Sequence, residues 1–177
     1  KMIKRAYKNG QHQFEWVHKR LDGVHLHIKV NLTIIPTKEE KILLVNWLDI
    51  TESKKAGETI KKLYQAIEQT NEIVLMTDIN GTINFVNAAF EEVYGYKMEE
   101  ILGKATPRIL KSGLMNKEFY EDLWNNLPAG RGIHKEVINK TKDGRLINIH
   151  TSLSPIFNEK KILIGYMAVQ EDITEKK

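Results

Sequence analysis

The sequence has no cysteine among its 177 residues, and this absence excludes several classes of function. A chain without cysteine has no disulfide, no thiolate metal site and no cysteine nucleophile. No apolar run approaches the roughly 20 residues that span a bilayer, and no signal-peptide pattern stands at the N-terminus. We therefore predict a cytoplasmic location without direct membrane insertion. Because the chain begins with Lys rather than Met, we expect it to be part of a longer protein.

Dense charge of one sign is also missing. The net charge is +4, but Lys and Glu are interspersed along the chain without a basic block or a basic and aromatic array, so we predict no nucleic-acid partner. The sequence lacks a phosphate-binding loop and a credible Ser, His and Asp set. His25 and His27 share one face of a predicted strand, but that face is polar and lacks an obvious third ligand. We predict that this chain is not an enzyme and holds no metal.

The tetrapeptide Asp-Ile-Thr-Glu occurs twice, at residues 49–52 and 172–175, each time directly after an apolar run. Asp can cap the first N–H groups of a helix, and Glu three residues later can reach back. Each copy therefore predicts a junction between a strand and a helix.

The surroundings of the tetrapeptide repeat as well. Asp22-Gly23 matches Asp143-Gly144 at an offset of 121, and Asp49 matches Asp172 at an offset of 123. The difference of two residues is expected in the later hairpin loop. The chain thus predicts one complete unit and, before it, the C-terminal half of a similar unit.

Hydrophobic periodicity supplies the elements. Residues 24–34 are apolar at every second position, which predicts a strand with one buried face. Residues 51–70 predict a helix with a narrow apolar stripe. The stripe consists of Ala56, Ile60, Leu63 and Ile67. It is expected either to pack on a neighbouring domain or to pair two chains as a short parallel coiled coil.

The second unit resembles the PAS sensor family, often described as a PAS core followed by a PAC segment. The resemblance rests on the order of many short motifs across more than a hundred residues. These motifs are the Asp78 turn, Asn87 with Phe90, Gly95-Tyr96, Glu100 with Gly103, residues 109–113, Phe119-Tyr120, Leu123-Trp124, Asn139-Lys140, and residues 142–144, 154–156 and 172–174.

This resemblance implies an α+β fold in which short helices cover one face of a five-stranded antiparallel sheet and enclose a small pocket. The expected organisation is a C-terminal half of a PAS domain at 1–50, a linker helix at 51–70, a complete PAS domain at 71–172 and the start of an output helix at 173–177.

The implied function is regulatory. A PAS module detects a small ligand or a redox state and passes it through helical linkers to an effector such as a histidine kinase, a diguanylate cyclase or a chemotaxis signaller. The family's coupling role falls on Asp49, Thr51, Asp172 and Thr174. These residues are alternatively plain helix caps, and the module is alternatively a ligand-free spacer for dimerisation or protein interaction.

The resemblance also implies pocket residues. The candidates are Met76, Phe85, Ile133, Val137, Asn139, Met167 and Gln170. A buried Gln170 needs hydrogen-bond partners, which favours a polar ligand or water; a pocket filled by apolar side chains is the alternative.

The cofactor stays open. The absence of His between residues 58 and 133 argues against haem, and the absence of cysteine argues against an FMN photoadduct. The FAD-binding redox subgroup has Trp and Gly where this chain has Ile133 and Lys135, although Asn139 is retained. These departures argue against FAD.

We expect a homodimer. The linker helices offer one contact, and the apolar row from Val24 to Ile34 offers another, because a three-stranded half unit leaves a sheet edge and face open.

Overall fold

The structure is a computed structural model that describes residues 1–127 and 130–176, with the side chains of residues 120 and 122–124 left aside. The chain divides into two compact units, Lys1–Leu63 and Tyr64–Lys177. In the part of the chain that is described, no helix is long and apolar enough to cross a membrane.

The first unit is a helix followed by three antiparallel strands. Its elements are α1 (Met2–Asn9), β1 (Gln11–Lys19), β2 (His25–Pro36), β3 (Lys41–Asp49) and the beginning of α2 (Thr51–Gln69). The strands lie in the order β1-β2-β3. Arg20 to Val24 form the hairpin turn between β1 and β2 that Asp22-Gly23 predicts, with Gly23 at φ 88°.

The period-2 row of β2 packs against α1. Ala6 of α1 is fully buried, together with Ile28, Val30 and Leu32 of β2. The face expected to be open is therefore covered at its centre by a helix of the same chain. Trp16 and Trp47 belong to the same face, because they pair across the sheet with Ile28 and Val30, yet they remain 56% and 62% exposed.

The second unit contains the remaining elements. They are β4 (Ile73–Asp78), β5 (Ile83–Val86), α3 (Ala88–Tyr94), α4 (Met98–Ile101), a 3-10 turn (Pro107–Leu110), α5 (Lys117–Asn126), β6 (Ile133–Lys140), β7 (Leu146–Phe157), β8 (Leu163–Asp172) and a final 3-10 turn (Thr174–Lys176). The strands form one sheet in the order β5-β4-β8-β7-β6, and every pair is antiparallel. The predicted α+β architecture is confirmed.

The core of this unit lies between the helices and one face of the sheet. Its fully buried side chains include Phe90 and Tyr94 of α3, Ile73 of β4, and Ile147 and Ile149 of β7. The rings of Phe90 and Tyr94 lie 4.9 Å apart. Alternation along each strand sends every second side chain to this face, which fixes the inner surface on which the helices pack.

A fully buried asparagine, Asn87, connects α2, β4 and α3. Oδ1 of Asn87 accepts hydrogen bonds from the N–H groups of Val74 (2.9 Å) and Phe90 (3.2 Å). Nδ2 donates to the carbonyl oxygens of Ile67 (3.0 Å) and Glu72 (2.8 Å). One side chain thus caps α3 and links the end of α2 to β4.

The two extra residues of the later repeat are not both in the hairpin loop. Residues 37–40 join β2 to β3, and residues 158–162 join β7 to β8, which is one residue more. The other extra residue lies in β8, which has 10 residues where β3 has 9. The β7–β8 register shifts between Ile156 and Phe157. A local irregularity of this kind accommodates one extra residue and leaves the pairing of the other residues unchanged.

Candidate functional site

The second unit encloses a cavity of about 490 Å³ between the inner face of its sheet and the segments that cover it. The middle of the cavity is apolar. It is lined there by Leu75, Leu110, Val137, Leu153 and Ala168. Exposed lining residues mark the mouth, and these are Asn80, Arg108 and Lys111. Such a volume falls within the range of about 300–1,000 Å³ that small-molecule sites occupy.

Four polar side chains meet beside the cavity, and three of them, Asn139, Thr151 and Gln170, line it. The Tyr94 hydroxyl donates to Oε1 of Gln170 (2.8 Å) and accepts from Nδ2 of Asn139 (2.7 Å). Nε2 of Gln170 donates to Oγ1 of Thr151 at 3.3 Å. We call Tyr94, Asn139, Thr151 and Gln170 the polar cluster. Because α3, β6, β7 and β8 each supply one member, the cluster ties the helical layer to three strands.

Electrostatics keeps the tyrosine of the cluster neutral. Burial raises the pKa of Tyr94 far above its ordinary value, since the phenolate would lose its hydration. The hydrogen bond from Asn139 lowers this pKa, and the negative charge of Asp172 raises it further. Tyr94 is therefore a permanent hydroxyl donor that orients the Gln170 amide.

The structure separates the predicted pocket residues into two groups. Val137, Asn139, Met167 and Gln170 border the cavity, although the side chain of Met167 shares the outer face with Met76, with which it pairs. The described lining of the cavity does not include the other three predicted residues, Met76, Phe85 and Ile133.

The reason is the direction of each side chain. Leu75 and Thr77 of β4 line the cavity, so strand alternation turns Met76 to the outer face. Phe85 pairs with Met76 across the sheet, and its ring lies 5.9 Å from that of Tyr64 in α2. Ile133 is buried at the first position of β6 and pairs with Leu153, but it is not among the described residues that line the cavity.

Sequence reasoning missed Tyr94 and Thr151. Tyr94 stands on the apolar side of its predicted helix, and its hydroxyl, which needs a partner when buried, is the signal that was available. Thr151 continues the inner row of Ile147 and Ile149 in β7, so strand periodicity alone places it beside the cavity.

The exit from the first unit is anchored by Thr51. Oδ1 of Asp49 accepts the N–H of Thr51 at 2.9 Å, and Oγ1 of Thr51 accepts the N–H of His27 in the neighbouring strand at 2.8 Å. Hydrogen bonds from Thr51 hold the pKa of Asp49 below its ordinary value. Glu52 does not reach back as expected; its Oε1 accepts from Lys55 at 3.3 Å.

The exit from the second unit repeats this geometry. Oδ1 of Asp172 accepts the N–H of Thr174 at 2.9 Å, and Oγ1 of Thr174 accepts the N–H of Asn148 at 2.9 Å. In both units, therefore, Asp shapes the turn and Thr fastens it to the adjacent strand. His27 and Asn148 are themselves related by the offset of 121.

The fold and the site together define a class of protein. A five-stranded antiparallel sheet, covered by short helices that enclose a cavity, is an architecture suited to holding a small ligand. The comparison with known families names the class. The chain belongs to the PAS domain family, whose model matches residues 1–52 and 71–175.

Curated relatives are regulators and signalling enzymes that contain this domain. The chain is 29% identical over 111 residues to a nitrogen fixation regulatory protein of Klebsiella pneumoniae, which covers 63% of the chain and 22% of that protein. It is 24% identical to hybrid signal transduction histidine kinase L of Dictyostelium discoideum (76% of the chain, 8% of the kinase). It is 26% identical to the probable diguanylate cyclase DgcE of Escherichia coli (88% and 15%). The chain thus spans about a fifth or less of each relative.

Solved structures agree on the fold. A PAS domain of a protein from Colwellia psychrerythraea has a TM-score of 0.57 and 23% identity, covering 66% of this chain and 98% of that one. A PAS domain of an HTR-like protein from Haloarcula marismortui has a TM-score of 0.57 and 21% identity, covering 69% and 98%. PAS domains are sensory modules without catalytic activity, and this chain matches PAS domains. It is a regulatory module and not an enzyme.

Proposed function

We propose that the second unit is the sensing part of this module. Its cavity binds a small molecule, and the occupied and empty states differ at the junction formed by Asp172 and Thr174. The general sensory role comes from the family, whereas binding in this cavity and the response at this junction are what we propose for this chain.

The main support for the proposal is that β8 runs from the cavity directly to the junction. Gln170 borders the cavity, and Asp172 lies two residues further along the same strand and therefore on the same face. The neighbouring strand is involved at both points, through Thr151 at Gln170 and Asn148 at Thr174. A ligand that moves the Gln170 amide acts on the strand that ends in the exit turn.

The output is a proposal by relationship. Relatives include a histidine kinase and a probable diguanylate cyclase, so we propose an effector of one of these kinds, or a chemotaxis signaller. The cytoplasmic location stays a prediction from the sequence. The cofactor is also open, and an absorption spectrum with native mass spectrometry of the freshly purified chain would identify a flavin, a haem or a colourless metabolite.

Filling the cavity with a larger side chain tests whether the cavity is coupled to the junction. Ala168→Phe places a ring in the cavity, whereas Ala66→Phe adds the same ring at an exposed position of α2. We expect Ala168→Phe, and not Ala66→Phe, to change the amide hydrogen exchange of Thr174 and Asn148. Adding Asp172→Ala should remove that response while the fold persists, at a cost of about 0.5–2 kcal/mol. Unchanged exchange at the junction in folded Ala168→Phe would refute the coupling.

We also propose a homodimer formed through α2. Ile60 and Leu63 of its apolar stripe are 67% and 60% exposed, and an exposed stripe at this spacing is suited to pairing with a second copy. Trp16 and Trp47 of the first unit offer further apolar surface. Light scattering should give a dimer for the chain and a monomer for Ile60→Glu with Leu63→Glu; a monomeric parent chain would contradict this.

The same stripe favours a second candidate function, a ligand-free spacer that dimerises. The two candidates differ in the cavity. Three results together would favour the spacer function. The purified chain would carry no ligand, Ala168→Phe would leave hydrogen exchange at the junction unchanged, and the dimer would persist.

A further inference from the structure

We propose that the cavity of the second unit selects a small organic anion, with its apolar body in the middle of the cavity and its charged group at Arg108. This inference rests on the proposed function, since it names the chemical class of the ligand for the same site.

The charges that line the cavity have one sign. Among its described lining residues, Arg108 and Lys111 are cationic and none is Asp or Glu. Both cations stand at the mouth, where the walls behind them are apolar. Apolar walls reduce screening and concentrate the field of such charges, so the mouth attracts an anion and disfavours a cation.

The segment that carries Arg108 is held in place by the sheet. Pro107 begins the 3-10 turn, and the backbone of Lys111 pairs with that of Asn139 in β6. Oγ of Ser112 donates to the carbonyl oxygen of Ile138 at 2.6 Å. Lys111 follows the turn directly in an extended conformation, and Arg108 and Lys111 both line the cavity. The backbone that carries Arg108 therefore needs little rearrangement when a ligand binds.

The interior suits the rest of such a molecule. Leu75, Val137 and Leu153 provide the apolar contacts, and Asn139, Thr151 and Gln170 of the polar cluster line the same cavity. The Gln170 amide has two N–H groups and two lone pairs, and the hydrogen bonds to Thr151 and Tyr94 use one of each. A ligand hydroxyl or carbonyl therefore has a partner there, although the charge at Arg108 is what sets the class.

The test uses three probes with one body and different charge: naphthylacetate, naphthylacetamide and naphthylethylamine, titrated by calorimetry into the 177-residue chain. We expect the anion to bind at least about tenfold more tightly than the amide, and the amine to bind most weakly. Ala168→Phe should abolish binding of the anion, which locates the site in the cavity.

Arg108→Gln should lower the affinity for naphthylacetate about tenfold and leave naphthylacetamide unchanged. Arg108→Lys should restore part of the loss. Arg145→Gln is the matched control, because Arg145 is an exposed arginine of the same unit outside the cavity lining, and it should have no effect.

The outcomes distinguish this inference from the function on which it rests. Equal affinity for the anion and the amide, or an unchanged affinity in Arg108→Gln, would overturn the anion class and leave a ligand-binding cavity. Failure of all three probes would also overturn it. The proposed coupling itself fails only if Ala168→Phe leaves the exchange of Thr174 unaltered.

Discussion

Replacing Asn87 by alanine should destabilise the second unit strongly, because this one side chain forms hydrogen bonds with four backbone groups. Its oxygen accepts from Val74 and Phe90, and its nitrogen donates to Ile67 and Glu72. Asn87 and Val74 are buried, so water does not replace the lost partners at every point.

The magnitude follows from two contributions. Loss of the cap at the start of α3 costs about 0.5–2 kcal/mol, and leaving the buried N–H of Val74 unpaired costs about 1–3 kcal/mol. The carbonyls of Ile67 and Glu72 lie nearer the surface and add little. We therefore expect a loss of about 3 kcal/mol, a large part of the stability of a small domain.

Hydrogen exchange with mass spectrometry measures this loss in peptides of β4 and α3, which separates the second unit from the first. Asn87→Asp keeps the acceptor oxygen and should retain the cap, but it loses the donation to Ile67 and Glu72. Asn84→Ala, at an exposed position of β5, should change stability by less than about 0.5 kcal/mol. A loss below about 1 kcal/mol in Asn87→Ala would show that the four contacts are not structural.

Three further predictions concern single positions. Gly165→Ala would push a Cβ into the carbonyl oxygen of Thr77, so we expect urea unfolding to show a loss of about 1–3 kcal/mol in the free energy of unfolding. Gly57→Ala, which has open space around it in α2, should instead raise that free energy by about 0.5–1 kcal/mol. Changes of the same sign in both variants would contradict the packing argument. Tyr94 ionises near pH 10 only when unfolded, so stability should fall above that pH by up to about 1.4 kcal/mol per pH unit, and urea titrations of Tyr94→Phe should lack this component. Thr174→Val should cost about 0.5–1.5 kcal/mol and speed the amide exchange of Asn148, whereas protected exchange would show that the hydroxyl does not anchor the turn.

Sequence patterns were sufficient wherever the local chain decides the structure. The period-2 row of β2, the Asp-Gly hairpins and the two Asp-Ile-Thr turns appear where they were predicted, but the second turn leads into a 3-10 turn where a helix was expected. The junctions show the limit of this reasoning. Asp49 and Asp172 shape their turns as expected, but the anchoring role of Thr51 and Thr174 depends on a neighbouring strand that no local pattern reveals.

The cavity was predicted less well. Gln170, Asn139 and Val137 follow from the family pattern, whereas Met76 and Phe85 face the other side of the sheet. In a strand buried on both faces, such as β4, consecutive residues are apolar, so the sequence does not show which of them point to the cavity. The inward face of β4 is decided by its partners, and its register with β5 shifts between Met76 and Thr77.

The sequence by itself determined that two related units follow one another, that each ends in the same junction, and which segments are strands, since these properties come from residue order and periodicity. Only the tertiary structure decided that Tyr94 meets Asn139 and Gln170, that α1 covers the row of β2, and that Arg108 stands at the mouth of the cavity. The physical reason is that these contacts join segments far apart in the chain. Their geometry is set by how strands pair and helices pack, and not by the neighbours of any one residue.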